Sequence, residues 1–253
     1  GNPLACEKGL RYLDIDLNRS FDLKKSYSKE LYEIQRAKNI VNKYGPQSPT
    51  KCQIVLDLHT TTSSMGTSIV MYGRRKKDFY LAAILQSKFG LPIYLHEKDP
   101  NQTGFLVEAW PCGLVIEVGP VAQNHYDPII VERFLILLNF LDELLEGIDN
   151  NNFSLPDEIT IFVHQGSIDY PRDEDGNINS LIHPERVLRD WLMIKNGDPL
   201  FLDEFNKNIL YTSKEKVYPV FIGEAAYKEK KIAMSFTKKE KIKCSQEWIG
   251  EFN

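Results

Sequence analysis

The sequence predicts an α/β domain followed by a smaller β-rich domain, and three observations support this interpretation. Strand-length apolar runs alternate with amphipathic, helix-length segments as far as Gly147. The polar segment Asp149–Asn152 then breaks the pattern and marks a candidate linker. Beyond it, short apolar runs and turn signals such as Asp175-Gly176 dominate, and helix signals are scarce. We therefore predict domains at residues 1–152 and 153–253.

Each element of the first domain has its own local signal. Apolar, partly β-branched runs predict strands at Cys52–Leu56, Thr67–Tyr72, Leu91–His96 and Gly113–Pro120. Amphipathic spacing and terminating Gly or Pro residues predict helices at Ser28–Tyr44, Lys77–Phe89 and Asp127–Gly147. Asp16–Phe21 and Asp99–Trp110 lack a period and are predicted to be loops, while Glu158–Gln165 and Val217–Ile222 predict strands of the second domain.

Composition is that of an ordinary globular protein, and it excludes several classes of function. The 253 residues are 42% hydrophobic and 26% charged, with a net charge of −4, so no broad nucleic-acid-binding surface is expected. The lysine-rich stretches Lys228–Lys231 and Lys238–Lys243 are interpreted as solvated surface. No apolar stretch is long enough to cross a membrane, and no signal peptide is recognised.

The four cysteines lack the spacing of a zinc site or a disulfide framework. Cys52 and Cys112 adjoin apolar runs, and no C-x-x-C pair occurs, so we predict buried free thiols in a reducing compartment. These observations predict a cytoplasmic protein that does not bind membranes or nucleic acid.

The segment Asp57-Leu58-His59 ends the first predicted strand, which we expect to be buried, with an abrupt change to polar residues. Ligands of open α/β sheets bind at the carboxyl ends of strands, where these side chains would lie. His59 is therefore a candidate metal ligand or general base, and Asp57 a candidate group that orients it. A core histidine bonded to a nearby carbonyl is an equally open interpretation.

Glu117 interrupts an apolar strand between Ile116 and Val118. Burial there would raise the pKa of its carboxyl, as a general acid/base requires, so a working carboxylate is the favoured interpretation. The alternative is a strand-end glutamate that faces water.

Two arginines lie close together near the start of the chain. Arg11 and Arg19, the latter preceded by Asn18, have the chemistry to bind a substrate carboxylate through paired, charge-assisted hydrogen bonds. An internal salt-bridge cluster with Asp14 and Asp16 remains open as the alternative.

Together these stretches resemble the aspartoacylase/succinylglutamate desuccinylase family of zinc hydrolases, whose core is similar to zinc carboxypeptidases. The resemblance is carried, in chain order, by Arg11–Arg19, Asp57–His59, Ile116–Pro120, Asp169–Glu174 and Tyr218–Tyr227. It implies a zinc-carboxypeptidase-like mixed sheet flanked by helices, with the C-terminal domain capping the active site. It also suggests a homo-oligomer.

The resemblance also implies a role for each matching residue. His59 matches a zinc ligand, in a site with one zinc per chain, and Glu117 matches the glutamate that moves a proton from water to the leaving amine. Arg11 matches an arginine that polarises the scissile carbonyl. Asn18 and Arg19 match a pair that binds a substrate carboxylate. Tyr227 matches a tyrosine of the substrate pocket.

Two departures from the family pattern stand out. The family's other zinc ligands come from an N-terminal His-x-x-Glu that this sequence lacks, and Glu7, His96 and His125 do not reproduce it. Because the downstream motifs are intact, we expect the sequence to be a fragment of a longer protein. The family also carries an arginine for the substrate's second carboxylate, whereas residues 101–113 here contain none.

The resemblance implies a zinc-dependent amidohydrolase that deacylates an N-acyl amino acid. The implied substrate is N-acetyl-L-aspartate, which gives acetate and aspartate. A related N-acyl amino acid deacylase or carboxypeptidase, and a non-catalytic carboxylate-binding protein, are the alternatives.

Overall fold

The computed structural model describes residues 1–22, 24–25, 31–97, 99, 102–122, 125–148 and 153–248. Its helices are α1 (Pro3–Glu7), α2 (Tyr32–Tyr44), α3 (Lys76–Phe89) and α4 (Pro128–Ile148). Its strands are β1 (Ile54–Thr60), β2 (Thr67–Tyr72), β3 (Ile93–His96), β4 (Cys112–Val118), β5 (Glu158–Ile168), β6 (Ser180–Ile182), β7 (Pro199–Asp203), β8 (Asn208–Leu210), β9 (Tyr218–Val220) and β10 (Met234–Lys243). Short 3-10 segments lie at Leu17–Arg19, Leu106–Ala109, Ala225–Lys230 and Gln246–Trp248.

Seven strands form one mixed sheet in the order β1-β4-β2-β3-β5-β10-β9, and β6, β7 and β8 form a separate small sheet. β1 runs parallel to β4, and β3 runs parallel to β5. The predicted mixed α/β sheet with helices and a β-rich C-terminal half is therefore confirmed.

The large sheet has two different faces because side chains alternate along each strand. On one face, Leu114 and Ile116 of β4 join a core with α3 and α4, and α3 is almost completely buried there. On the other face, Val115 packs with Phe105 and with Phe221 of the C-terminal half. Glu117 shares the face of Val115 by the same alternation, so the candidate site lies opposite the main core.

Two predictions about burial were wrong near the start of the sheet. β1 is an edge strand of the described sheet, with only partly buried residues and with Leu58 39% exposed. Cys52, just before it, is exposed and not buried, whereas Cys112 on the central strand β4 is buried. An apolar run does not distinguish an edge strand from a central one, because their composition is similar. All four cysteines are free.

The predicted element boundaries are close to those observed. The first long helix begins at Tyr32 in the described part of the chain, and residues 26–30 of the prediction lie outside it. The predicted linker at 149–152 also lies outside the described residues. The domain division at residue 152 stays a prediction, and β5 continues the sheet of the first half by pairing with β3. No helix among the described residues is long and apolar enough to cross a membrane.

Candidate active site

Two parallel strands place His59 and Glu117 side by side. The two residues are direct register partners, one position before the last pair of β1 and β4. Neighbouring strands lie about 4.8 Å apart, so both side chains leave the sheet at the same rim and on the same face. His59 and Glu117 therefore leave adjacent strands at the same end of the sheet.

The imidazole of His59 is held by a carboxylate and an amide. Its Nε2 lies 2.9 Å from Oδ2 of Asp57 and 3.1 Å from Nδ2 of Asn18. Burial by itself lowers the pKa of His59, but the hydrogen bond and charge of Asp57, with the charge of Glu117, raise it to about 9. The hydrogen bonds of the ring within the described part of the chain are made by Nε2.

Asn18 is fixed by three contacts of its amide. Besides approaching His59, its Nδ2 donates to Oδ2 of Asp57 at 2.8 Å, and its Oδ1 accepts from the backbone N–H of Leu106 at 2.8 Å. In this arrangement Asn18 orients the Asp57–His59 pair. Its predicted role in binding a substrate carboxylate stays a prediction.

Glu117 is a carboxyl group with an unsatisfied oxygen. Its Oε2 is buried and has no hydrogen-bond partner among the described residues. Burial raises the pKa of Glu117 to about 7, with the charges of Glu224 and Asp57 adding to the effect and those of His59 and Arg11 opposing it. A carboxyl group that titrates near neutrality can both accept and return a proton.

The two arginines have different environments. Arg11 forms an ion pair with Asp16 at 3.0 Å, so the predicted salt-bridge alternative holds for this residue. Arg19 instead stacks on the ring of Phe105 at 3.6 Å and donates from Nη1 to the carbonyl of Asn18. Gly104 permits this arrangement, because a Cβ there would lie 2.7 Å from the carbonyl oxygen of Arg19.

The C-terminal half reaches the site through Glu224 and Tyr227. The Oε2 atom of Glu224 accepts hydrogen bonds from Thr61, from the backbone N–H and hydroxyl of Thr62, and from the backbone N–H of Ser63. This carboxylate therefore joins the residues after β1 to the segment that carries Tyr227. Burial raises the pKa of the Tyr227 phenol.

These groups surround one small cavity of about 40 Å³. Its lining includes the predicted residues Arg11, Asn18, Arg19, His59, Glu117 and Tyr227. It also includes Tyr72, Phe105, Phe221 and Glu224, which the sequence analysis did not assign. The cavity thus contains all six predicted site residues. Arg19 also lines a neighbouring cleft of about 900 Å³, while Arg11, Asn18 and His59 line another of about 560 Å³.

Sequence reasoning missed Glu224, the aromatic lining and Lys230. Glu224 and Phe221 lie inside a motif that carried the resemblance, so their sequence context was a usable signal. Lys230 was predicted to be solvated, but its Nζ is buried. Lys228 and Lys231 on either side are exposed, as predicted.

The surroundings of His59 can be compared with those of a metal-binding histidine. An imidazole oriented by a carboxylate, as His59 is by Asp57, is the usual environment of a metal-binding histidine. Catalytic zinc requires three protein ligands, and no cluster of three or more His, Cys, Asp or Glu residues that could hold a metal occurs in the described ranges. His59 therefore fits as one ligand.

Two family models match this chain. The family model of the succinylglutamate desuccinylase/aspartoacylase catalytic domain matches residues 1–144, and that of the AstE/AspA barrel-sandwich hybrid domain matches residues 157–239. The chain belongs to this family. A probable aspartoacylase of Prochlorococcus marinus strain MIT 9215 is 60% identical over the whole chain and 85% of its own length. Another from strain NATL2A is 47% identical over 98% of the chain and 82% of its own length.

Solved structures of this family have the same fold. Murine aminoacylase 3 superposes with a TM-score of 0.86 at 31% identity, covering 96% of this chain and 83% of its own. Succinylglutamate desuccinylase from Vibrio parahaemolyticus, at 18% identity and a TM-score of 0.57, supports the fold alone. The chain is therefore a hydrolase of the kind that deacylates N-acyl amino acids. This favours an enzyme over the non-catalytic carboxylate-binding protein.

Proposed function

We propose that this protein is a zinc-dependent amidohydrolase that converts N-acetyl-L-aspartate to acetate and aspartate in the cytoplasm. The observation that carries the proposal is the adjacent placement of Glu117 and His59 on β4 and β1, beside Arg11 and Arg19. The probable aspartoacylases of Prochlorococcus marinus support the choice of substrate.

In this proposal Glu117 is the proton carrier. Its pKa of about 7 allows it to take a proton from the attacking water and to return that proton to the leaving amine. Its buried, unpartnered Oε2 is the atom available for this transfer. Zinc, held by His59 and by ligands that remain to be identified, would supply positive charge that polarises the acyl carbonyl and activates water.

The remaining residues position the substrate. Arg11 adds positive charge where the oxyanion develops, and its ion pair with Asp16 fixes the guanidinium group. Arg19 binds a substrate carboxylate, with its plane held against Phe105, and Asn18 holds His59 in place. Tyr227 contributes its phenol to the substrate pocket.

The experiment replaces Glu117 with Gln in the intact protein and measures both turnover and bound zinc. We expect hydrolysis of N-acetyl-L-aspartate to fall by roughly 10²–10⁴-fold, the range typical of losing a general acid/base, while about one zinc per chain is retained. The exposed Glu215→Gln serves as the matched control and should behave as the wild type. Undiminished activity of Glu117→Gln would remove the assigned role.

A second candidate is a deacylase for amino acids with uncharged side chains. The aromatic lining by Tyr72, Phe105 and Phe221 favours it. A comparison of kcat/KM for N-acetyl-L-aspartate and for N-acetyl amino acids with apolar side chains distinguishes the two candidates.

A further inference from the structure

Arg19 and Lys230 are two cationic side chains with buried nitrogens that lack partners. Nε of Arg19 and Nζ of Lys230 are both inaccessible to solvent, and neither has a hydrogen-bond partner among the described residues. An ammonium or guanidinium nitrogen that is buried without a partner is costly, so such groups are usually paired. Two of them together indicate that an anionic group binds between or beside them.

The two cations lie where the small cavity meets the larger cleft. Arg19 lines both spaces, and Lys230 lines the cleft of about 900 Å³. The ammonium of Lys230 is also 5.5 Å from the ring centroid of Tyr227, which lines the small cavity. Burial, and after it the positive charge of Arg19, lower the pKa of Lys230 to about 8, so the ammonium form still predominates at neutral pH.

The carboxylates of the same cleft have partners of their own. Glu97 is bonded to Arg74 by two hydrogen bonds of 3.0 Å. Asp99 lies 3.9 Å from Nε2 of His164.

Asp16 and Glu229, whose negative charges act to raise the pKa of Lys230, are bonded to Arg11 and to the hydroxyl of Tyr12. The ammonium of Lys230 makes no hydrogen bond among the described residues, so it can receive an external anion.

The substrate must extend beyond the small cavity. About 40 Å³ accommodates little more than a water molecule or two, so an N-acyl amino acid that reaches Glu117 has to occupy an adjoining cleft as well. A substrate with two carboxylates requires two cations, and no arginine lies at residues 101–113 to be the second. Lys230 is a second cation, and it lines the cleft that Arg19 connects to the small cavity.

We propose that Lys230 binds the side-chain carboxylate of an N-acyl acidic amino acid, while Arg19 binds its other carboxylate. Lys230 is then the residue that determines specificity for an acidic side chain, in place of the arginine that the family pattern carries. The proposal rests on the proposed deacylase function and deepens it. A substrate with an uncharged side chain leaves the ammonium unpaired and is disfavoured for that reason.

The experiment compares two substrates of nearly equal size, N-acetyl-L-aspartate and N-acetyl-L-asparagine, in the intact protein. Lys230→Met keeps the aliphatic stem and removes the charge. We expect kcat/KM for N-acetyl-L-aspartate to fall about tenfold to a hundredfold, mainly through KM, as for a lost charge-assisted hydrogen bond. The value for N-acetyl-L-asparagine should change less than about threefold. Lys230→Arg should retain most of the preference, and the exposed Lys228→Met should match the wild type.

Three results would overturn the proposal. They are an equal loss with both substrates in Lys230→Met, unchanged kcat/KM for N-acetyl-L-aspartate, and a wild type that prefers N-acetyl-L-asparagine. Thermal unfolding of each variant, with Lys230→Arg as the conservative partner, identifies a variant that fails to fold.

Binding of the products separates this proposal from the proposed function. Calorimetry should find that the wild type binds L-aspartate more tightly than L-asparagine, and that Lys230→Met loses this difference. If this holds in a protein that hydrolyses no N-acyl amino acid, the carboxylate subsite is supported and the proposed function is contradicted. Hydrolysis without any effect of Lys230 on the binding of L-aspartate would support the proposed function and contradict the subsite.

Discussion

Glu117 and Glu224 line the same cavity, but their hydrogen-bonding environments are opposite. Glu224 is 8% exposed, and its carboxylate accepts hydrogen bonds from Thr61, Thr62, Ser63 and Ala226. Glu117 has a buried oxygen with no partner in the described structure. The chain therefore supplies hydrogen-bond donors to the carboxylate of Glu224. It supplies none, among the described residues, to Oε2 of Glu117, which is available to a bound molecule.

This difference indicates a structural role for Glu224 and a chemical role for Glu117. A fully bonded carboxylate is held in one position, and it joins two distant parts of the chain. A buried carboxyl group without partners is costly to ionise, so its pKa rises toward neutrality. Substitutions at the two positions should therefore affect different properties.

The largest effect on stability is expected at Glu224. Glu224→Ala leaves the donors of Thr61, Thr62 and Ser63 without their acceptor, and we expect the free energy of unfolding to fall by about 3–5 kcal/mol, as for other broken buried networks. Urea denaturation followed by circular dichroism measures it. The matched control is the exposed Glu215→Ala, expected within about 0.5 kcal/mol of the wild type. A similar small change in both variants would mean that the network does not join the two halves.

Glu117→Gln should have the opposite effect on stability, and only at higher pH. The folded-state pKa of about 7 lies above the ordinary value of 4.5. Below pH 4.5 the carboxyl of Glu117 is protonated in the folded and the unfolded state, so it does not change the free energy of unfolding of the wild type. This free energy falls as the pH rises from there through 7. Gln does not titrate, so the variant should gain about 3 kcal/mol relative to the wild type between pH 4 and pH 8.

Urea denaturation at both pH values, in the presence of a chelator, tests this prediction because bound metal would add its own stabilisation. A stability difference that stays constant across the pH range would show that Glu117 is not desolvated.

The parts of the site that could be predicted from sequence are those with a local signal. His59 and Glu117 follow apolar strand runs, and a polar residue at the end of such a run predicts a functional strand end. The pairing of their strands depends on long-range contacts. The periodicity of a single strand does not define its neighbour, so the sequence alone did not predict this pairing.

Lys230, Cys52 and Asn18 show what local signals could not give. Lys230 lies in a lysine-rich 3-10 segment whose sequence is typical of solvated surface. Its burial depends on residues far away in the sequence, such as Arg19, that line the same cleft. Cys52 precedes β1, which is an edge strand of the described sheet. The exposure of an edge strand depends on its position in the sheet, which the local sequence does not define. The amide of Asn18 is committed to Asp57 and Leu106, residues 39 and 88 positions away.

Asp190 is intermediate between Glu117 and Glu224 in its hydrogen bonding. Its substitution is expected to have the smallest effect on stability of the three. It is 6% exposed and accepts backbone hydrogen bonds from Ser64 and Ile222, both at 3.1 Å. Burial nevertheless raises its pKa to about 6, against the effect of these bonds. The neutral backbone donors therefore compensate only part of the desolvation of Asp190.

Because the folded-state pKa of Asp190 lies above its ordinary value of 3.8, the wild type should lose stability as pH rises from about 4 to 6. Asp190→Asn removes this titration but keeps one acceptor. The variant should therefore lose about 1–2 kcal/mol at pH 4 and approach or exceed the wild type above pH 6. Unfolding free energies measured across this range test the prediction. If the unfolding free energies of the wild type and of Asp190→Asn change in parallel with pH, the backbone donors of Asp190 fully replace water. Glu117 would then be the one of these carboxyl groups whose burial destabilises the protein at higher pH.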